Sequence, residues 1–154
     1  MTKEKLKQAR ESFSMIEVLI AIAIFTTLAT SISVVTHNRD TKLFQDECEK
    51  IRNFVAETIE IATAQRTSFI IAVSYVHESG HTAKAVIIGR KNGGLEKYEY
   101  LYLKHTDMAT ETKCTFDGVS FTMTPALTWR IWKPDEKSVR KTLTISGNGY
   151  CTLE

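Results

Sequence analysis

Proline is almost missing from this chain. Its two prolines are Pro125 and Pro134, and none interrupts residues 1–124. Proline breaks helix interiors, so nothing forbids a long unbroken helix in the first half. Cysteine is scarce and odd in number: Cys48, Cys114 and Cys151. An oxidising compartment would permit a disulfide, but one thiol must be left over. An excess of charge is missing too. The formal net charge is +2, and residues 1–12 supply all of it through Lys3, Lys5, Lys7 and Arg10 against Glu4 and Glu11 (4 − 2 = 2). The remainder sums to zero, which removes the case for a broadly basic, nucleic-acid-binding surface.

Patterns that carry chemistry are missing as well. His77 and His81 are four residues apart, a spacing that puts two ligands on one helix face. They flank Glu78-Ser79-Gly80, a turn signal between strands, so that geometry does not apply, and further ligands are not evident. Gly147-Asn148-Gly149 has no helical segment after it and reads as a turn, not a phosphate loop. Asp46-Glu47 and Asp135-Glu136 read as helix and turn residues, not as an acid/base pair. No cysteine sits in a nucleophile motif. The expectation is a protein that is not an enzyme and takes no metal or cofactor.

What is present is a long apolar run. Val18 to Thr36 holds no formal charge, about the 20 residues a helix needs to cross a bilayer. Glu17 stands at its start, although a carboxylate at mid-bilayer costs about 2.5–3.5 kcal/mol. Such residues are usually kept for a function. A basic segment precedes the run, and the small residue Ser12 lies at the junction. In a secretory signal peptide the small-residue cleavage site follows the apolar run; here it precedes it. Cutting after Ser12 would leave the helix on the mature chain and make Phe13 its first residue and Glu17 its fifth. The new α-amine would be a cation at membrane depth. Paired with Glu17 of a neighbouring subunit, it would neutralise both groups.

Ser12-Phe13-Ser14-Met15-Ile16-Glu17-Val18-Leu19 resembles the class III signal of type IV pilins and type II secretion pseudopilins. The resemblance implies cleavage by a prepilin peptidase between Ser12 and Phe13, N-methylation of Phe13, and a role for Glu17 in assembly. Ser12 stands where the family usually has glycine. The same resemblance implies other pilin or pseudopilin subunits and an inner-membrane assembly platform as partners. It also implies a single-pass precursor with its leader in the cytoplasm and its globular domain in the periplasm or outside the cell.

Along the chain, residues 1–12 read as leader, 13–36 as the membrane-spanning half of a helix, and 37–66 as its amphipathic half. Leu43, Phe44, Glu47, Cys48, Ile51, Phe54, Val55, Ile59 and Ala62 recur at three- and four-residue spacing, which predicts one buried stripe. Residues 67–154 form a β-rich domain. Strands are predicted over 68–76, 82–88, 96–104, 113–116, 119–123, 127–132, 138–146 and 150–153, with Gly- and Asn-containing turns that suggest antiparallel hairpins. The predicted class is α+β and pilin-like: a long N-terminal helix packed on an antiparallel sheet. The passages 59–71 and 145–149 resemble, more loosely, minor pseudopilins of the H type and FimT-like minor pilins.

Two further readings concern the β domain. Cys114 and Cys151 lie in the strand-rich half, where a disulfide would tie down the C-terminus; three free buried thiols are the alternative. Arg130, Lys133, Lys137, Arg140 and Lys141 are interleaved with Trp129 and Trp132, a pattern that can bind single-stranded nucleic acid. Asp135 and Glu136 dilute it, and a solvated strand face explains it more simply. The expected function is a structural minor pilin or pseudopilin; the alternative is a DNA-binding minor pilin of a DNA-uptake pilus.

Overall fold

The computed structural model describes residues 15–91, 95–110 and 113–154. Helix α1 runs from Met15 to Gln65. Nine strands follow: β1 (Ser68–Glu78), β2 (His81–Lys91), β3 (Leu95–Tyr102), β4 (Asp107–Met108), β5 (Lys113–Asp117), β6 (Thr122–Thr124), β7 (Leu127–Lys133), β8 (Glu136–Ile145) and β9 (Cys151–Leu153). The architecture is the expected α+β, pilin-like one. The chain divides into two compact units, Met1–Arg39 and Asp40–Glu154.

In the first unit the described residues are helical and exposed throughout, including Met15, Leu19, Phe25, Ile32 and Val35. Threonine and serine recur along this stretch. Their hydroxyls close back onto the helix: Thr26 on the Ala23 carbonyl, Thr30 on Thr26, Ser31 on Thr27 and Thr36 on Ile32, at 2.8–3.1 Å. These bonds satisfy the hydroxyls without an outside partner.

In the second unit the stripe read from the sequence is buried: Phe44, Glu47, Cys48, Ile51, Val55, Ile59 and Ala62. Burying each large apolar side chain contributes about 1.5–3 kcal/mol. That contribution comes from tertiary packing, on which most helices in proteins depend.

The strands form two antiparallel sheets where one was expected. A five-stranded sheet has the order β3-β2-β1-β5-β6, and a four-stranded sheet has the order β4-β7-β8-β9. Strand β5 pairs with its chain neighbour β6 on one side and with the distant β1 on the other, with Ser68 opposite Asp117 and Ile71 opposite Cys114. The first sheet buries Ile71, Val73, Val86, Ile88, Phe116 and Met123; the second buries Met108, Leu127, Trp129, Ile131, Leu143 and Ile145. All of these join the α1 stripe in one core. Trp129 is buried and Trp132 half-buried.

Strand β3 ends at Tyr102, two residues earlier than predicted. The cause lies on α1. The buried Glu47 carboxylate accepts the backbone N–H groups of Lys104 (2.9 Å) and His105 (2.6 Å). Those donors are thereby turned away from any β ladder. The predicted hairpin about Asp117-Gly118 has a longer turn, because Asp117 pairs with Thr122.

Candidate functional site

Ser12 and Phe13 lie outside the described residues. Glu17 occupies the first turn of α1, where a carboxylate also complements the positive end of the helix dipole. From there the helix is apolar on all sides. Ile16, Val18, Leu19, Ile20, Ile22, Ile24, Phe25 and Leu28 are each about half exposed or more, up to 78% for Phe25. At 100° per residue these positions cover every face. A helix that is apolar all round belongs in a membrane or in a core, and α1 is long and apolar enough to cross a membrane. Among the described residues Glu17 is the one acidic group within this exposed apolar stretch.

The five basic residues do not gather. On β7 and β8, Trp132 lies opposite Arg140 and Arg130 opposite Thr142, so Arg130, Trp132 and Arg140 share the face turned away from the core. Lys141 lies opposite Ile131 on the other face, beside Asp46, Cys48 and Glu49 of α1. Lys133 pairs with Glu136 at 3.7 Å. Lys137 is exposed.

The three cysteines are thiols. Cys48 and Cys114 are buried and Cys151 is half-buried. Burial pushes Cys48 and Cys114 up to about 12 and Cys151 up to about 11, so none is a ready nucleophile. Cys114 is raised further by the electrostatic influence of Cys151, which puts these two in one region of the core. His77 and His81 are not brought together. In the β1–β2 hairpin His77 lies opposite Thr82 and accepts or donates a 2.7 Å hydrogen bond there, while His81 lies opposite Glu78. Among the described residues no cluster of three metal-ligating side chains occurs.

Sequence reasoning missed a polar network between the sheets. Lys84 of β2 is hydrogen-bonded to the Asp107 carboxylate and donates to the Met108 carbonyl at 2.9 Å. Trp132 Nε1 donates to the other Asp107 oxygen at 3.1 Å. Burial pushes the Asp107 carboxyl up, but the hydrogen bonds from Lys84, Met108 and Trp132 and the Lys84 charge outweigh it and hold the group below its ordinary value. No local sequence signal marks this site, because its members are far apart in the chain.

A helix with an all-round apolar surface and antiparallel sheets make an α+β, pilin-like architecture. Residues 7–33 match the family model described as the prokaryotic N-terminal methylation motif. The match is to a prepilin-type cleavage and methylation signal and covers N-terminal residues alone. Comparison with curated proteins and with solved structures returns no match.

Proposed function

We propose that this chain is a structural minor pilin or pseudopilin, made as a precursor and assembled into a type II secretion pseudopilus or type IV pilus. A prepilin peptidase cuts after Ser12 and methylates Phe13. Before assembly the apolar part of α1 holds the subunit in the inner membrane, with the β domain on the periplasmic side. The leader's lysines and arginine mark the cytoplasmic side. Apolar helices then leave lipid to bundle in the filament, and the Phe13 amine of one subunit neutralises Glu17 of its neighbour. The observation that carries this reading is the methylation motif over residues 7–33, running directly into a helix whose whole girth is exposed and apolar. The H-type, FimT-like assignment rests on the looser likeness of residues 59–71 and 145–149.

N-terminal sequencing of the mature protein tests the reading. The expected product begins at an N-methylated Phe13; a chain still starting at Met1 overturns it. Glu17→Ala is expected to insert in the membrane as wild type does and to enter filaments several-fold less. Equal incorporation would remove the proposed charge pairing.

The DNA-binding alternative draws support from Arg130, Trp132 and Arg140 on one outward face. It is the weaker reading, since Lys141 faces α1 and Lys133 is paired with an acid.

A further inference from the structure

The uncharged stretch Val18 to Thr36 measures about 28 Å as helix, close to the roughly 30 Å hydrocarbon thickness of a bilayer. Helix α1 runs on without a break through His37, Asn38 and Arg39 to Asp40 and beyond. Asp40 is four residues past Thr36, a rise of about 6 Å in a helix. That is the depth of one headgroup layer, about 5–8 Å on each side of the hydrocarbon. Asp40 is also the first residue of the second compact unit. Whatever lies beside Asp40 in that unit is therefore held at headgroup level while the chain is anchored.

A cleft of about 190 Å³ lies there, lined by Asp40, Lys104, His105, Lys133, Pro134 and Asp135. Three parts of the chain meet in it. Helix α1 gives Asp40, the loop after β3 gives Lys104 and His105, and the corner between β7 and β8 gives the rest. The loop is fixed from behind, because the buried Glu47 carboxylate accepts the N–H groups of Lys104 and His105. The corner is fixed by strand pairing, in which Lys133 lies opposite Glu136. The Lys133 side chain is only 12% exposed and meets Glu136 at 3.7 Å. Asp40, Lys104 and Asp135 are exposed, and among the described residues no ion pair joins them. Charges of both signs face one cleft without meeting each other.

We propose that this cleft binds the headgroup of a phospholipid that carries a primary ammonium beside its phosphate, as phosphatidylethanolamine does. Lys104 and Lys133 face the phosphate, which lysine pairs with as a point charge. Asp40 and Asp135 accept hydrogen bonds from the lipid ammonium. A headgroup with negative charge alone would be set against both aspartates, and like charges brought together cost affinity. A choline headgroup has no N–H to give a carboxylate. Its quaternary ammonium is recognised by aromatic cages, and no Trp, Tyr or Phe lines this cleft. A soluble phosphoester carries the same groups, but a cleft beside the end of the apolar run meets lipid headgroups at a high local concentration. The fixed loop and corner suit binding, since little ordering is required. The site rests on the membrane-anchored precursor of the reading above. It tethers the β domain to the bilayer surface until the helix leaves lipid.

The test uses the full chain in nanodiscs holding equal parts of phosphatidylethanolamine, phosphatidylglycerol and phosphatidylcholine. Native mass spectrometry counts the lipid that stays on the released protein. The expected result is retained phosphatidylethanolamine, favoured about tenfold over each of the others. Lys104→Gln combined with Asp135→Asn should abolish that preference. Both side chains are exposed, so the melting temperature should match that of wild type and unfolding cannot explain the loss. Asp135→Lys should turn the preference toward phosphatidylglycerol. Equal retention of the three lipids, a preference of the unaltered chain for either of the other two, or a preference that survives the double substitution would overturn the site and leave the filament reading standing. Displacement of the lipid by an equal concentration of free phosphoethanolamine would assign the cleft to a soluble ester and overturn the lipid site too. A chain that does not stay with the nanodisc at all would sink the membrane-anchored reading instead.

Discussion

At the scale of single residues, Glu47 shows how one buried carboxylate organises a loop. Its two oxygens accept two backbone N–H groups, and a hydrogen bond to a charged group contributes about 1.5–3 kcal/mol. Glu47→Ala is therefore expected to destabilise the domain by roughly 3 kcal/mol, a fall in melting temperature on the order of 10 °C. Glu47→Gln keeps one acceptor oxygen and should cost about half as much. Thermal melts of the two variants check this, and equal stability of both with wild type would refute the clamp. From the sequence Glu47 was placed correctly on the buried stripe. Its partners were not legible, because they are backbone groups 57 and 58 residues away.

At the scale of elements, the helix was legible and the β turns only partly so. The absence of proline and the stripe from Phe44 to Ala62 locate α1, since both are properties of short sequence windows. The strands from Ser68 to Lys91 follow from β-branched residues and the Ser79-Gly80 turn, both at positive φ. Strand β4 has two residues, too few for any periodicity to mark, and it forms by pairing Met108 with Ile131. Gly118 reads as an ordinary turn glycine, yet its requirement is space against the end of α1. Gly118→Ala would drive a methyl into the Ala62 and Thr67 carbonyl oxygens, so the turn must lift off the helix. The expected cost is about 3 kcal/mol, read by chemical denaturation. Gly80→Ala meets no neighbour and should cost only about 1–2 kcal/mol, from its left-handed backbone.

At the scale of the whole molecule, the division of the strands into two sheets was the feature least visible in advance. Hairpins are local, but the β1–β5 pairing spans more than 40 residues and only the folded core selects it. Lys84 and Asp107 tie the two sheets together across that divide. Because the folded Asp107 carboxyl lies below its ordinary value of 3.8, the unfolded chain binds its proton more readily. This stabilisation is full above the unfolded value near pH 4 and is lost as pH falls through the folded one. Asp107→Asn should flatten the acid limb of a stability profile between pH 7 and pH 2. It should also lower stability at neutral pH by roughly 2 kcal/mol, since Lys84 loses its charged partner.

The threonine and serine hydroxyls of the first unit have a consequence for movement. Thr26, Thr30, Ser31 and Thr36 each turn the hydroxyl inward on the turn behind, so these four side chains make no outward demand for a hydrogen bond. Such a surface has no preferred rotational setting toward a greasy neighbour, and it can slip past adjacent rods without breaking any polar bond on the way. In the proposed filament Glu17, the acidic group of the described apolar stretch, would then set where the sliding stops.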